Sequence, residues 1–351
     1  MTRLEANKSV GALVAQRIPV PVDVSGRRWL RALFTRPSIG MVVVLILLMA
    51  VFSFLKPHAF LGTYNFRNIA LSAAVVAVVA IGQTFVLSTG GIDLSVGSVL
   101  VFSTVTSAKV MQSMGGTGAG WGAVAVGAVL CLVSGAFWGL VSGLIVTYMT
   151  VPPLIATLGT LGMALGAAQI LTNGLDIHSV PAVMTNQIGY QNIAGVPVLV
   201  LIAIVVALIA GFVLWQTSYG VHTKAIGSNT ESALRSGVPV RKHLVSIYML
   251  SGSLAGIGGL MSLAQFSTTT IGGHTGDNLT TIAGAVLGGT SLFGGVATVF
   301  GTVVGILVPV TLQSGFVIVG VEPFWQTFAV GAVLVVAVFV DQIRRKSQTR
   351  R

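Results

Sequence analysis

The sequence predicts an all-α polytopic membrane protein with about ten transmembrane helices, and three observations carry that prediction. Only 8% of the 351 residues are charged, against roughly 25% in soluble chains. Mean hydropathy is +0.93, and several windows of about 17–25 residues hold no charge, enough for a helix to cross a hydrocarbon core roughly 30 Å thick. The 44 glycines suit the close helix–helix approach used in lipid. A soluble domain could not hide this much apolar surface, and in lipid only helices or closed barrels satisfy every backbone polar group. Cys131 stands alone in an apolar run, so neither a disulfide nor a cysteine-rich metal site is expected.

In chain order the predicted spans are residues 39–55, 69–89, 95–112, 121–147, 154–172, 197–216, 244–264, 279–296, 298–316 and 324–340. Ahead of them, residues 1–37 are polar and basic, with Pro19 and Pro21, and read as a flexible cytoplasmic segment. The membrane domain covers 38–342, and residues 343–351 form a basic tail. No small-residue cleavage pattern follows the apolar run after Gly40, so the first span is expected to stay as a membrane helix. Of 19 Lys and Arg, seven fall in 1–37, four in 217–243 and five in 341–351, leaving Lys56, Arg67 and Lys109 for the other side. The positive-inside rule places both termini and the 217–243 loop in the cytoplasm. The net charge of +11 is therefore a topology signal, and nucleic-acid binding is not expected.

Two glycine pairs interrupt the helical pattern. "LSTGGIDLSVGS" at 87–98 contains Gly90, Gly91 and Asp93, almost the only formal charge in the apolar segments. An ionisable residue at such depth usually faces a cavity or a partner. Asp93 either caps the following helix through backbone N–H groups near Ser95 and Val96, or contacts substrate, or does both. "IAGAVLGGTSLFGG" at 282–295 repeats the pattern, with Gly90/Gly288, Gly91/Gly289, Leu94/Leu292 and Gly97/Gly295 in register. Helices broken near Gly90–Asp93 and Gly288–Gly295 point to a central site, because paired breaks in the two halves of a transporter do so. Pro152 and Pro153 interrupt a third segment, acceptably, since a proline at a helix start lacks only an N–H that would be unpaired.

The polar stretch "SYGVHTKAIGSNTESALRSGVPVRKH" at 218–243 is expected to hold a short helix of about two turns over 228–237. Ser228 and Glu231 form a capping box, Arg235 lies near the C-terminal end, Gly237 takes the left-handed position and Pro239 stops continuation. Two turns are marginal alone, so this helix needs a surface: either it merely joins two spans, or it is a peg for a cytoplasmic partner. Its two histidines read as solvated or interfacial. The chain has no G-x-x-x-x-G-K-[ST] phosphate loop, no H-E-x-x-H and no serine-nucleophile elbow, so an enzyme is not expected.

Together "GGIDLSVGS", "PPLIATLGTL", "AIGSNTESALRSGVPV" and "IAGAVLGGTSLFGG", in this order over about Gly40 to Asp341, resemble one family. It is that of the membrane-spanning permease subunits of bacterial ABC importers for ribose, xylose and arabinose-type sugars. The resemblance implies a second permease copy or homologue, cytoplasmic ATPase subunits that carry ATP and magnesium (no cofactor on this chain), an extracytoplasmic sugar-binding protein and an inner-membrane location. It also implies that Gly227, Ser228, Asn229, Glu231, Ala233, Arg235 and Gly237 couple to the ATPase. A path for a monosaccharide or related polyol should be lined by short polar groups, and the candidates are Gln83, Ser88, Asp93, Ser95, Thr157, Asn173, Asp277, Asn278 and Gln313. Each has a plainer reading as an interhelical hydrogen bond or cap. The sequence departs from the family at Ser232, at "PPLIATL", where an aromatic often follows the proline, and at "GDNLTT", where Glu-Leu is common. Nucleosides, branched-chain amino acids or a sugar-like signal molecule on the same scaffold are alternatives, as is an ion-coupled secondary transporter.

Overall fold

A computed structural model describes residues 37–349, so residues 1–36 of the expected basic N-terminal segment lie outside the described residues. The helices are α1 (Pro37–Leu55), α2 (Thr63–Ser88), α3 (Val96–Ser113), α4 (Trp121–Thr147), α5 (Pro153–Thr172), α6 (Val198–Gln216), α7 (Ser218–Ser228), α8 (Thr230–Arg235), α9 (Val240–Phe266), α10 (Asp277–Leu287), α11 (Val299–Val319) and α12 (Pro323–Thr349). Single turns at Pro57–Phe60, Gly116–Gly118 and Ala182–Met184, a π-helical turn at Thr185–Gly189 and a two-residue antiparallel hairpin, Asn192–Ile193 with Val196–Pro197, complete the described chain. Among the described residues six helices (α2, α4, α5, α6, α9 and α11) are long and apolar enough to cross a membrane, and Gly40–Leu55 and Pro323–Phe339 are shorter apolar stretches.

Burial sorts these helices into an inner and an outer set. The most apolar window of α2 is 89% buried, whereas that of α6 is 22% buried although it is more hydrophobic. An apolar helix with an exposed apolar face belongs against lipid, and α2 is the central post that α6, α9, α10 and α11 surround. Small residues also allow a close packing between α4 and α9. A Cβ on Gly135 would fall on the Gly252 carbonyl, one on Gly252 on the Gly135 carbonyl, and one on Gly139 on the Tyr248 carbonyl. The four-residue spacing of Gly135, Gly139 and Gly143 against Gly252 and Gly256 is the small-xxx-small seam that lets backbones touch.

Two expectations need correction. The span placed at 279–296 is not one helix: α10 ends at Leu287 after 11 residues, about 16 Å at 1.5 Å per residue, too short to cross. The glycine register also moves by one. Gly90, at φ +79°, donates to the Leu87 carbonyl at 2.9 Å while Gly91 donates to Val86 at 3.2 Å. Gly289, at φ +92°, donates to Val286 at 2.9 Å while Thr290 donates to Ala285 at 3.0 Å. Both helices thus end in the same left-handed cap, the Schellman arrangement, and the structural partner of Gly90 is Gly289 rather than Gly288.

Candidate functional site

Residues 89–95, between α2 and α3, have no regular structure, and their backbone polar groups need partners from elsewhere. Gln83 of α2, fully buried, supplies two: its carboxamide, with the nitrogen assigned toward Asp93, donates to the Asp93 carbonyl at 3.1 Å and accepts from the Asp93 N–H at 3.2 Å. Thr157 of α5 donates to the Ile92 carbonyl at 3.2 Å as well as to Pro153 in its own helix at 2.8 Å. The Asp93 carboxylate, 2% exposed, accepts from the Ser95 N–H (2.9 Å), the Ser95 hydroxyl (2.6 Å) and the Ser251 hydroxyl of α9 (3.0 Å). Its partners are therefore Ser95 and Ser251, and the expected bond to Val96 is not among them. One turn along α9 from Ser251, the Tyr248 hydroxyl is buried without a hydrogen-bond partner among the described residues, close against Gly91.

A second polar cluster joins the N-terminal ends of α3 and α10. Asn278 accepts from the Gly97 N–H at 2.7 Å, answering a donor that a helix start leaves open. Asp277 turns instead to His274 Nδ1 at 2.7 Å, and His274 Nε2 lies 2.8 Å from the Ser262 hydroxyl. Asp176 fastens the adjoining loop by accepting from the Ile271 N–H (2.9 Å) and the Thr269 hydroxyl (3.0 Å). The structure thus brings Gln83, Asp93, Ser95, Thr157 and Asn278 onto the α2–α3 break and the start of α3. Asn173 and Gln313 are elsewhere. Asn173 is an exposed left-handed cap of α5, at φ +54°. Gln313 lines a cleft of about 670 Å³ with Asn65, Asn68 and Ser72. Ser251, Tyr248, Ser262 and His274 were missed; the first three are polar groups in the apolar, glycine-rich run of α9, the same signal that singled out Asp93, whereas His274 lies in a polar loop beside Thr275, Asp277 and Asn278.

The polar stretch folds into two helices. α7 continues through Ser228, so the capping box expected at Ser228 does not form. Asn229, extended at φ −161°, ends α7 and starts α8, its side chain accepting from the Ser232 N–H at 2.9 Å. α8 covers 230–235 rather than 228–237. Glu231 and Arg235 pair at 2.5 Å on its exposed face, and Ala233 packs inward with Ile226, Val238 and Val240. Gly237 has φ +83° and closes α8 with a bond to Leu234, the Val238 N–H reaching Ala233. His243 is not solvated: it is buried, 2.9 Å from the Thr223 hydroxyl and against the Tyr219 ring. Tyr219 bonds Ser246 at 3.0 Å, and burial pushes its phenol pKa up.

The end of α7 meets both helix breaks. The Gly295 N–H donates to the Ser88 carbonyl at 2.9 Å, joining the second break to the end of α2. Gly227 fits against that bond: a Cβ there would strike the Ser88 carbonyl and come within 2.6 Å of the Gly295 nitrogen. Gly294, at φ +83°, is confined in the same way: a Cβ there would come within 2.9 Å of both Gly227 and the Gly90 nitrogen. Ser88 enters through its backbone; its hydroxyl bonds Thr84 at 2.9 Å. Three segments far apart in sequence are therefore in backbone contact at one glycine-lined junction.

The family described as branched-chain amino acid transport system / permease component matches residues 65–338. The ribose import permease protein of Escherichia coli (strain K12) is 35% identical over 321 residues, covering 91% of this chain and 97% of the relative. The D-allose transport system permease protein of the same organism is 31% identical, over 88% and 92%. The L-arabinose ABC transporter permease protein of Azospirillum brasilense is 32% identical, over 88% of each. No solved structure matches the chain. Matched over most of its length by the family and by these relatives, the chain belongs to the permease components of ABC importers, and is a multi-pass inner-membrane permease of the sugar-importer kind.

Proposed function

We propose that this permease forms the path for a monosaccharide or related polyol and is driven by ATPase subunits that dock on residues 218–243. In this reading α1–α6 and α9–α12 are the ten membrane segments, α10 crossing together with the irregular chain that follows it, and both termini are cytoplasmic. Gly227, Ser228, Asn229, Glu231, Ala233, Arg235 and Gly237 belong to the coupling element, with Glu231 and Arg235 on its exposed face. The observation that carries the proposal is the junction at Gly227, where the docking segment touches the end of α2 and the 288–298 break at once. A displacement of α7 by ATP-driven closure would pass directly into both breaks without an intervening flexible linker. A second permease copy or homologue and an extracytoplasmic binding protein complete the assembly.

A neutral polyol fits the polar groups better than a zwitterion does. The Asp93 carboxylate is already engaged by three donors, which leaves it poorly placed to hold an ammonium group. The second reading, a branched-chain amino acid, rests on the description of the matching family. The test reconstitutes the chain with its ATPase and binding-protein partners and compares ATP-dependent uptake of labelled ribose, allose and leucine. Uptake of a sugar but not leucine is expected; leucine uptake alone would establish the second reading. Uptake by vesicles containing this chain without any ATPase, driven by an ion gradient, would overturn the coupling.

A further inference from the structure

A groove of about 600 Å³ runs between α2, α6 and α11, and Val299 and Phe300, just after the second break, line it. Small side chains on α2 and α6 (Ala73, Ala77, Ala203 and Ala207) hollow it out, and Phe300 and Trp215 wall it. Along α6 it reaches from Val200 to Trp215, about 22 Å at 1.5 Å per residue, the shape of a slot for one extended hydrocarbon chain. The Trp215 end differs from the rest. The Lys224 ammonium lies 5.5 Å from the centre of the Trp215 ring, so the aromatic face holds a cation at the rim of an otherwise apolar slot. Lys224 is half-buried, and no carboxylate lies within ion-pair distance of it among the described residues. A slot for a tail ending at an unmatched fixed cation has the two-part chemistry of a lipid with a negative head.

We propose that the groove is a specific site for an anionic phospholipid, one acyl chain lying along α6 and the headgroup phosphate on Lys224. The site does not depend on which solute is transported. Lys224 is three residues from Gly227, so the bound headgroup steadies the helix that meets the two breaks.

The test uses the purified full chain and native mass spectrometry, with equal amounts of phosphatidylglycerol and phosphatidylcholine as probes. Phosphatidylglycerol should be retained preferentially, at one molecule per chain. Lys224→Gln should reduce that preference about fivefold, the share of one lysine at an anionic surface, while Lys224→Arg and the exposed-site control Lys242→Gln keep it. Ala207→Phe, which fills the slot, should lower retention of both lipids. Thermal melting of each variant separates loss of the site from loss of the fold. Equal retention of the two lipids, or an unchanged preference in Lys224→Gln, would overturn the proposal. So would a disulfide between two copies carrying Ala207→Cys, which would place a second copy of this chain in the groove.

Discussion

Asp93 and Tyr248 illustrate opposite fates for a buried polar group. Asp93 accepts three hydrogen bonds, and leaving such donors unsatisfied costs about 1–3 kcal/mol each. Asp93→Leu should therefore lower the thermal midpoint in detergent sharply, by an amount corresponding to several kcal/mol. Asp93→Asn keeps an acceptor oxygen, and the Ser251 hydroxyl can turn to accept, so its cost should be near 1 kcal/mol. If Asp93→Asn melts close to the parent but no longer supports uptake, the charge itself works in transport; if uptake survives, the residue is a strut. Tyr248 predicts the reverse, because its hydroxyl has nothing to lose. Tyr248→Phe should melt at the same temperature as the parent or higher. The sequence made Asp93 conspicuous as a charge in an apolar run. Its partner Ser251 is 158 residues away and is selected by the packing of α9 on α2, which no local pattern encodes.

Among the elements, α7 and α8 give a prediction that separates space from backbone conformation. Nothing lies within 4 Å of a Cβ at Gly237, but its φ of +83° favours glycine or asparagine. Gly237→Asn should keep most ATP-driven uptake. Gly237→Val, which cannot adopt that conformation without strain of about 1–2 kcal/mol, should uncouple ATP hydrolysis from uptake. At Gly227 a side chain meets backbone on both sides, so even Gly227→Ala should abolish uptake, with ATPase activity measured in parallel to show the complex is assembled. Ser228 looked like the cap because Ser-Asn-Thr-Glu spells a capping box. It failed because α7, whose glycines and β-branched residues gave no strong helical signal, had already absorbed that serine and left Asn229 to serve both helices. The glycine break at 288–289 was legible as a break, yet hydropathy sums across it and so disguised an 11-residue helix as a full span.

At the level of the whole chain, charge distribution predicts sidedness. Cys131 is 1% exposed, so the native thiol should stay silent toward membrane-impermeant maleimides. Ser236→Cys, exposed beyond α8, should label only after the cytoplasmic face is opened, and Gly195→Cys, in the exposed hairpin before α6, should label in intact cells. The reverse pattern would invert the topology and place α8 out of reach of any ATPase. The apolar segments made the membrane helices legible from composition and the positive-inside bias supplies the sidedness that this labelling tests, whereas the convergence at Gly227 joins residues up to about two hundred positions apart and emerges only once the helices are packed. That convergence has a temporal consequence. A single pin seated in two hinges forbids staggered opening, so fluorescent reporters placed on the 89–95 and 288–298 segments should change together in every turnover, with no interval in which only one has moved.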